Sequence, residues 1–168
     1  MAVAFATPTP AGTRTLAASL DVASPAEAAF ALLSSVEKWP VWLSFIRSSH
    51  LVDPRTPLGI GSEVLVRSAL PGESEQLYEV DAFIPNFHLS LVGAFSIRRR
   101  LDFRIERKTA RSKLHIHLAY PAYHGRLGFL LDGIVRSRKI ALSLDHALEH
   151  FRGLLEVRTD REHLLDDL

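Results

Sequence analysis

Residues 20–46, "LDVASPAEAAFALLSSVEKWPVWLSFI", decide how the chain is to be read. They open on the end of an alternating run, "RTLAASLDV" at 14–22. There Leu16, Ala18, Leu20 and Val22 share one face and Thr15, Ser19 and Asp21 the other, the period of a half-buried strand. "SPAE" at 24–27 then starts a helix. Ser24 is placed to cap the N3 amide, Glu27 to reach back, and Pro25 to take the first helical position, where a missing N–H costs nothing. Ala26, Phe30 and Leu33 mark the buried side of this helix, which stops near Ser34–Ser35. Pro40 disfavours helical geometry at Trp39, so residues 36–46 form a second, short or broken helical piece. This piece carries both tryptophans of the chain, Trp39 and Trp42. An indole wants cover for its ring and a partner for its N–H. Two of them around a proline read as the lid of a hydrophobic cavity.

From about Arg47 to Tyr120, strand-like runs alternate with turn signals. "LPGE" at 70–73 has the Pro-Gly centre of a type II turn, and "PN" at 85–86 and "TARS" at 109–112 are further turns. Between or beside them lie "GSEVLVRSAL", "SEQLYEVDAFI", "HLSLVGAF", "IRRRLDFRIERK" and "KLHIHLAY", spaced as an antiparallel meander. Past "PAYHG", residues 126–156 read as one long helix. Its apolar stripe is Leu130, Ile134, Ala141, Leu144, Leu148, Phe151 and Leu155. The expected order is strand, two short helices, about six strands and a long helix. That is an α+β fold of one curved antiparallel sheet of about seven strands. A long helix in its concave side cannot meet it everywhere, so a cavity follows. The expected division is a flexible arm at 1–12, a single domain at 13–156 and a charged tail at 157–168.

Bulk properties narrow the function classes. A chain of 168 residues with 47% hydrophobic and 23% charged residues suits one globular domain. A net charge of +1 gives no global pull toward nucleic acid or membrane. Without cysteine there is no disulfide, thiol nucleophile or thiolate metal site. The start, "MAVAFATPTPAG", lacks the basic region of a secretory signal, and no run reaches the roughly 18 apolar residues of a membrane helix. The expectation is a cytoplasmic protein.

Three stretches resemble the Bet v 1-like helix-grip superfamily, also called START-like or SRPBCC, and specifically its bacterial polyketide cyclase/dehydrase-type members. They are residues 20–46, "LGIGSEVLVR" at 58–67, and "GRLGFLLDGIVRSRKIALSLDHALEHFRGLLE" at 125–156. The resemblance spans residues 14–156. It implies a helix-grip fold around a cavity for lipids, hormones, quinones or polyketides, with some members enzymes. It places Trp39, Trp42 and Phe45 where the lid helix faces the cavity mouth. No shared catalytic set can be carried over, so function must be argued from the site.

Other motifs read as structure. "GIG" at 59–61 precedes a strand, whereas a dinucleotide fingerprint must precede a helix. His115 and His117 face outward on a strand, and His146 and His150 sit four apart on the helix. Neither pair has a third ligand, so no metal or other cofactor is expected. The basic run at 97–108 is interleaved with Asp102 and Glu106; it reads as a solvated strand face, with contact to an anionic ligand or lipid headgroup as the lesser reading, and suggests no nucleic-acid partner. Tyr120 continues the inward parity of Leu114, Ile116 and Leu118. Arg99 shares the odd-numbered face of Phe95, Ile97, Leu101, Phe103 and Ile105, which turns a permanently charged guanidinium inward. A carboxylate, carbonyls, water or a ligand head must then compensate it. The alternatives are a β-bulge near Gly93 that shifts the register, or a strand end where Arg99 reaches solvent. Candidate ligand-binding residues are therefore Arg99, Tyr120, Trp39, Trp42, Phe45, Tyr78, Phe95, Leu101, Phe103 and Ile134. Three functions fit: binding of a small hydrophobic or amphipathic molecule, a polyketide cyclase, aromatase or dehydratase reaction, and a chaperone-like interaction domain. The sequence offers few inward polar groups and no catalytic motif, which favours binding.

Overall fold

Period-two segments become strands along most of the chain, and their order dictates a curl. The computed structural model describes residues 12–69, 75–109, 111–121 and 137–166. The elements are β1 (Thr13–Val22), α1 (Ala26–Ser34), a 3-10 turn (Val36–Lys38), α2 (Trp39–Trp42), β2 (Ile46–Leu51), β3 (Glu63–Ser68), β4 (Glu75–Ile84), β5 (His88–Gly93), β6 (Ser96–Arg107), β7 (Ser112–Pro121) and α3 (Ser137–Asp166). All strand pairs are antiparallel, in one sheet ordered β1-β7-β6-β5-β4-β3-β2. In that order β6 and β2 are four spacings apart, about 19 Å in a flat sheet at about 4.8 Å each. Yet α1 packs on β6 and β7 while the adjoining α2 packs on β2. The sheet therefore wraps around the short helices, and α3 closes the concave side against β1 and α2. This is the α+β helix-grip architecture expected from the sequence.

The turns follow their residues. Phe87 N–H donates to Ile84 O at 3.1 Å across Pro85–Asn86, with Asn86 in the left-handed region at φ 62°. Asn tolerates that geometry where a β-branched residue does not. Gly61, at φ 82°, turns the chain into β3, as the turn reading of "GIG" requires.

Three local expectations are corrected. Ser24 does not cap α1: Pro25 is the N-cap, with no side-chain cap bond. Ser24 is instead buried beneath the end of β7, its carbonyl accepting from Ser112 Oγ at 2.9 Å, while Glu27 pairs with Arg107. Trp39 is helical (φ −54°, ψ −40°) despite Pro40. The preference of a residue before proline is modest, and here it is outweighed by burial of the indole and its bond to Leu33 O at 2.8 Å. Finally, α3 runs to Asp166, through most of the stretch expected as a charged tail. A formed helix propagates at little cost through Arg, Glu and Leu whether or not they face a core. Leu130, Ile134 and the "LPGE" turn lie outside the described residues.

Inside, Leu20, Val22, Leu114, Ile116 and Leu118 are buried on the concave face, as their alternation requires. His115 and His117 lie on the other face, His115 beside Glu106 at 3.3 Å. Three cations of the basic run are paired there: Arg100 with Asp81 at 2.7 Å, Arg104 with Asp102 at 3.0 Å, and Lys108 with Asp21 at 2.8 Å.

Candidate functional site

Concave-facing positions change character along the strands. At one end they are Leu20, Phe103, Ile105 and Leu114, all buried and apolar. At the other they include Ser68, Gln76, Tyr78, Arg99 and Tyr120, and this end is hollow. The cavity is open to solvent and has a volume of about 70 Å³. Its apolar lining is Phe45 just before β2, Ile46 at its start, Val66 from β3, Leu101 from β6, Leu118 and Ala119 from β7, and Ile140 from α3.

Arg99 reaches this lining through a local irregularity. The β5–β6 register shifts between Val92, which pairs with Arg100, and Gly93, which pairs with Ser96. Three residues of β6 are thereby looped out, and Gly93 makes the loop fit. A Cβ at Gly93 would stand 2.8 Å from Ser96 O and 3.0 Å from Arg99 Cβ. The Arg99 stem thus takes the space a side chain at 93 would fill. Gly93 pairs across β4 with Tyr78, so the guanidinium arrives at the Tyr78 hydroxyl and hydrogen-bonds it. A guanidinium only donates. The Tyr78 oxygen is therefore the acceptor, and its own proton stays available to another group. Ser68, Gln76, Arg99 and Tyr120 each have an interaction partner.

Burial pushes the Tyr78 hydroxyl above its ordinary 10.0, an effect that the charge and hydrogen bond of Arg99 only partly offset. The group is a neutral donor at physiological pH. The unfolded chain releases this proton near the ordinary value of 10.0 and the folded chain holds it longer. The resulting stability is complete below that pH and is lost as pH rises through the raised folded value. In an alkaline absorbance titration one tyrosine should ionise late, and Tyr78→Phe should abolish that late step. A parent protein whose tyrosines all ionise at the ordinary pH would refute this placement of Tyr78.

Of the sequence-derived candidates, Arg99, Tyr78, Tyr120, Phe45 and Leu101 line the cavity. Trp39 and Trp42 do not rim its mouth: both are 0% exposed, and neither is among its lining residues. Trp39 lies 5.7 Å from Phe103 between ring centroids, and Trp42 sits edge-on to Phe151 at 4.8 Å and to Phe103 at 6.2 Å. Curling of the sheet seals α2 beneath α3, so the two indoles and Phe103 form solid core that fills the rest of the concavity. Phe95 is 91% exposed, at the β5–β6 turn. It lies beyond the register shift, where the parity that holds from Arg99 to Ile105 no longer applies. Ile134 falls outside the described residues. Ser68, Gln76, Ile46, Val66, Leu118, Ala119 and Ile140 were not singled out from sequence. Ser68 and Gln76 flank the β3–β4 connection, where inward polar groups look like ordinary hairpin ends. The polar inward set is thus larger than the sequence suggested.

No model of a known protein family matches the sequence, and no curated protein does. Solved structures do match. A START-superfamily protein from Mycobacterium smegmatis has a TM-score of 0.61 at 18% identity, covering 84% of this chain and 97% of that one. A polyketide-cyclase-like protein from Corynebacterium glutamicum has 0.60 at 18% identity, with coverage of 89% and 95%. The Zhui aromatase/cyclase from Streptomyces sp. R1128 has 0.61 at 16% identity, with coverage of 88% and 96%. The chain shares the START-like, Bet v 1-type helix-grip fold.

Proposed function

We propose that this helix-grip protein binds a small amphipathic molecule, with its apolar body in the cavity and its polar head on Arg99 and Tyr78. The observation that carries this reading is the division of the cavity lining. Leu101, Leu118, Ile140, Phe45 and Val66 offer apolar cover, and a guanidinium and a neutral phenol meet at one place among them. Small-molecule sites share this pattern, mostly apolar with a few convergent polar groups. Lipid, polyketide and quinone classes all fit, and a cytoplasmic setting belongs to the same proposal.

A cyclase-type reaction on a polyketide-like substrate is the second reading, favoured by the Arg99–Tyr78 contact. A fixed cation and an O–H donor together could stabilise charge developing on an enolate oxygen. One solved structure of the same fold is an aromatase/cyclase.

Native mass spectrometry of the purified protein, followed by titration with the fluorescent fatty acid cis-parinaric acid, tests the binding reading. The expected result is a co-purified small molecule, or saturable fluorescence enhancement reversed by unlabelled dodecanoate. Neither a retained molecule nor saturable uptake of any amphiphile would overturn it. Chemical change of a retained molecule on incubation would instead support the cyclase reading.

A further inference from the structure

The β5–β6 hairpin exposes apolar surface that the cavity does not use. Phe95 is 91% and Ile97 72% exposed, and Phe95 is the most exposed large apolar side chain among the described residues. Phe95 lies in the β5–β6 turn and Ile97 opens the looped-out segment, which Arg98 and Arg99 complete before Arg100 rejoins the ladder. Arg98 lies partly exposed at the foot of β1, its Nη1 3.7 Å from where a side chain on Gly12 would begin. Arg100 is paired with Asp81 on the outer face, Arg99 lines the cavity, and the other nearby carboxylate is Glu79, opposite Val92. The hairpin stands at the same end of the strands as the cavity.

We infer that the β5–β6 hairpin is a membrane-docking tip that seats Phe95 and Ile97 in the interface of an anionic bilayer, with Arg98 at headgroup level. Apolar side chains beside arginines suit the boundary between acyl chains and anionic headgroups. A hairpin turn presents two side chains on a projecting point. That is far short of the roughly 800 Å² per partner of a stable protein interface, but it is enough for shallow insertion into lipid. Among the other connections that expose apolar side chains, the β4–β5 turn, with Ile84 and Phe87 at 50% each, has no arginine beside it in sequence. Ile60, 73% exposed, lies at the far end of the strands. Docking would present the cavity end to the membrane, and it stands as a proposal whether or not the cavity holds a lipid.

Co-sedimentation with vesicles of phosphatidylcholine, alone and mixed with phosphatidylglycerol, tests this. The full chain should partition onto the mixed vesicles at low ionic strength and come off as salt rises. Phe95→Ser and Ile97→Ser should each weaken partitioning by roughly tenfold. Arg98→Gln should weaken it on anionic vesicles only, and Ile60→Ser should leave it unchanged. All four positions are at least partly exposed, and circular dichroism melts would confirm that folding is retained. A parent protein that ignores anionic vesicles overturns the inference. So does binding indifferent to Phe95→Ser and Ile97→Ser, or self-association through the tip in place of vesicle binding.

Discussion

Trp42→Ala should destabilise the chain by about 3–5 kcal/mol in urea unfolding, the range for deleting a large buried aromatic. Trp42 is 0% exposed and touches Phe103 of β6 and Phe151 of α3 with edge-on ring geometry at 6.2 and 4.8 Å. One side chain on a four-residue helix thus joins the sheet to the long helix. Its removal leaves a void that neither rigid neighbour can fill, and it deletes two aromatic pairs worth about 0.5–1.5 kcal/mol each. Against a typical total of about 5–15 kcal/mol, such a loss leaves little margin. Trp42→Phe should be far milder. The Trp42 Nε1 is buried and finds no acceptor among the described residues, and an orphaned donor costs about 1–3 kcal/mol. Phenylalanine keeps much of the ring contact and removes that donor. If Trp42→Ala unfolds within about 1 kcal/mol of the parent, the three-way contact does not hold the helix on the sheet.

The same side chain shows where sequence reading stops. Local pattern identifies which residues want burial, and along β7 that sufficed: Leu114, Ile116, Leu118 and Tyr120 are all buried on one face. Pattern carries no information about which buried surface meets solid core and which meets a void. That depends on how far the sheet curls and on where α3 crosses α2, both products of contacts distant in sequence. Trp39 and Trp42 therefore look alike whether they rim a cavity or plug it. The β6 strand shows a second limit. Its parity places Arg99 and Leu101 on the cavity lining, but the β5–β6 turn and the looped-out residues after it leave Phe95 and Ile97 in solvent. The cause is one glycine whose missing Cβ admits Ser96 O and the Arg99 stem, and in sequence Gly93 looks like any turn glycine.

Arg99→Met should lower affinity for a carboxylate-headed probe such as cis-parinaric acid by roughly 10–100-fold, the loss expected for a charge-assisted hydrogen bond of about 1.5–3 kcal/mol. Methionine keeps much of the stem that occupies the Gly93 space, so the lining holds its shape while the cation goes. Affinity for the corresponding alcohol, which lacks the charge, should change little, and the ratio of the two affinities isolates the guanidinium from general packing. Gly93→Ala provides a second route to the same result. Its Cβ would meet Ser96 O at 2.8 Å and Arg99 Cβ at 3.0 Å, forcing the arginine away from Tyr78 without deleting it. It should therefore lose carboxylate preference as Arg99→Met does. Tyr78→Phe should cost less than Arg99→Met, because the neutral phenol contributes one uncharged hydrogen bond of about 0.5–1.5 kcal/mol. A carboxylate-to-alcohol affinity ratio unchanged in both Arg99→Met and Gly93→Ala would remove the polar head from Arg99. It would leave the guanidinium as a structural partner of Tyr78 and the cavity as a site for wholly apolar molecules.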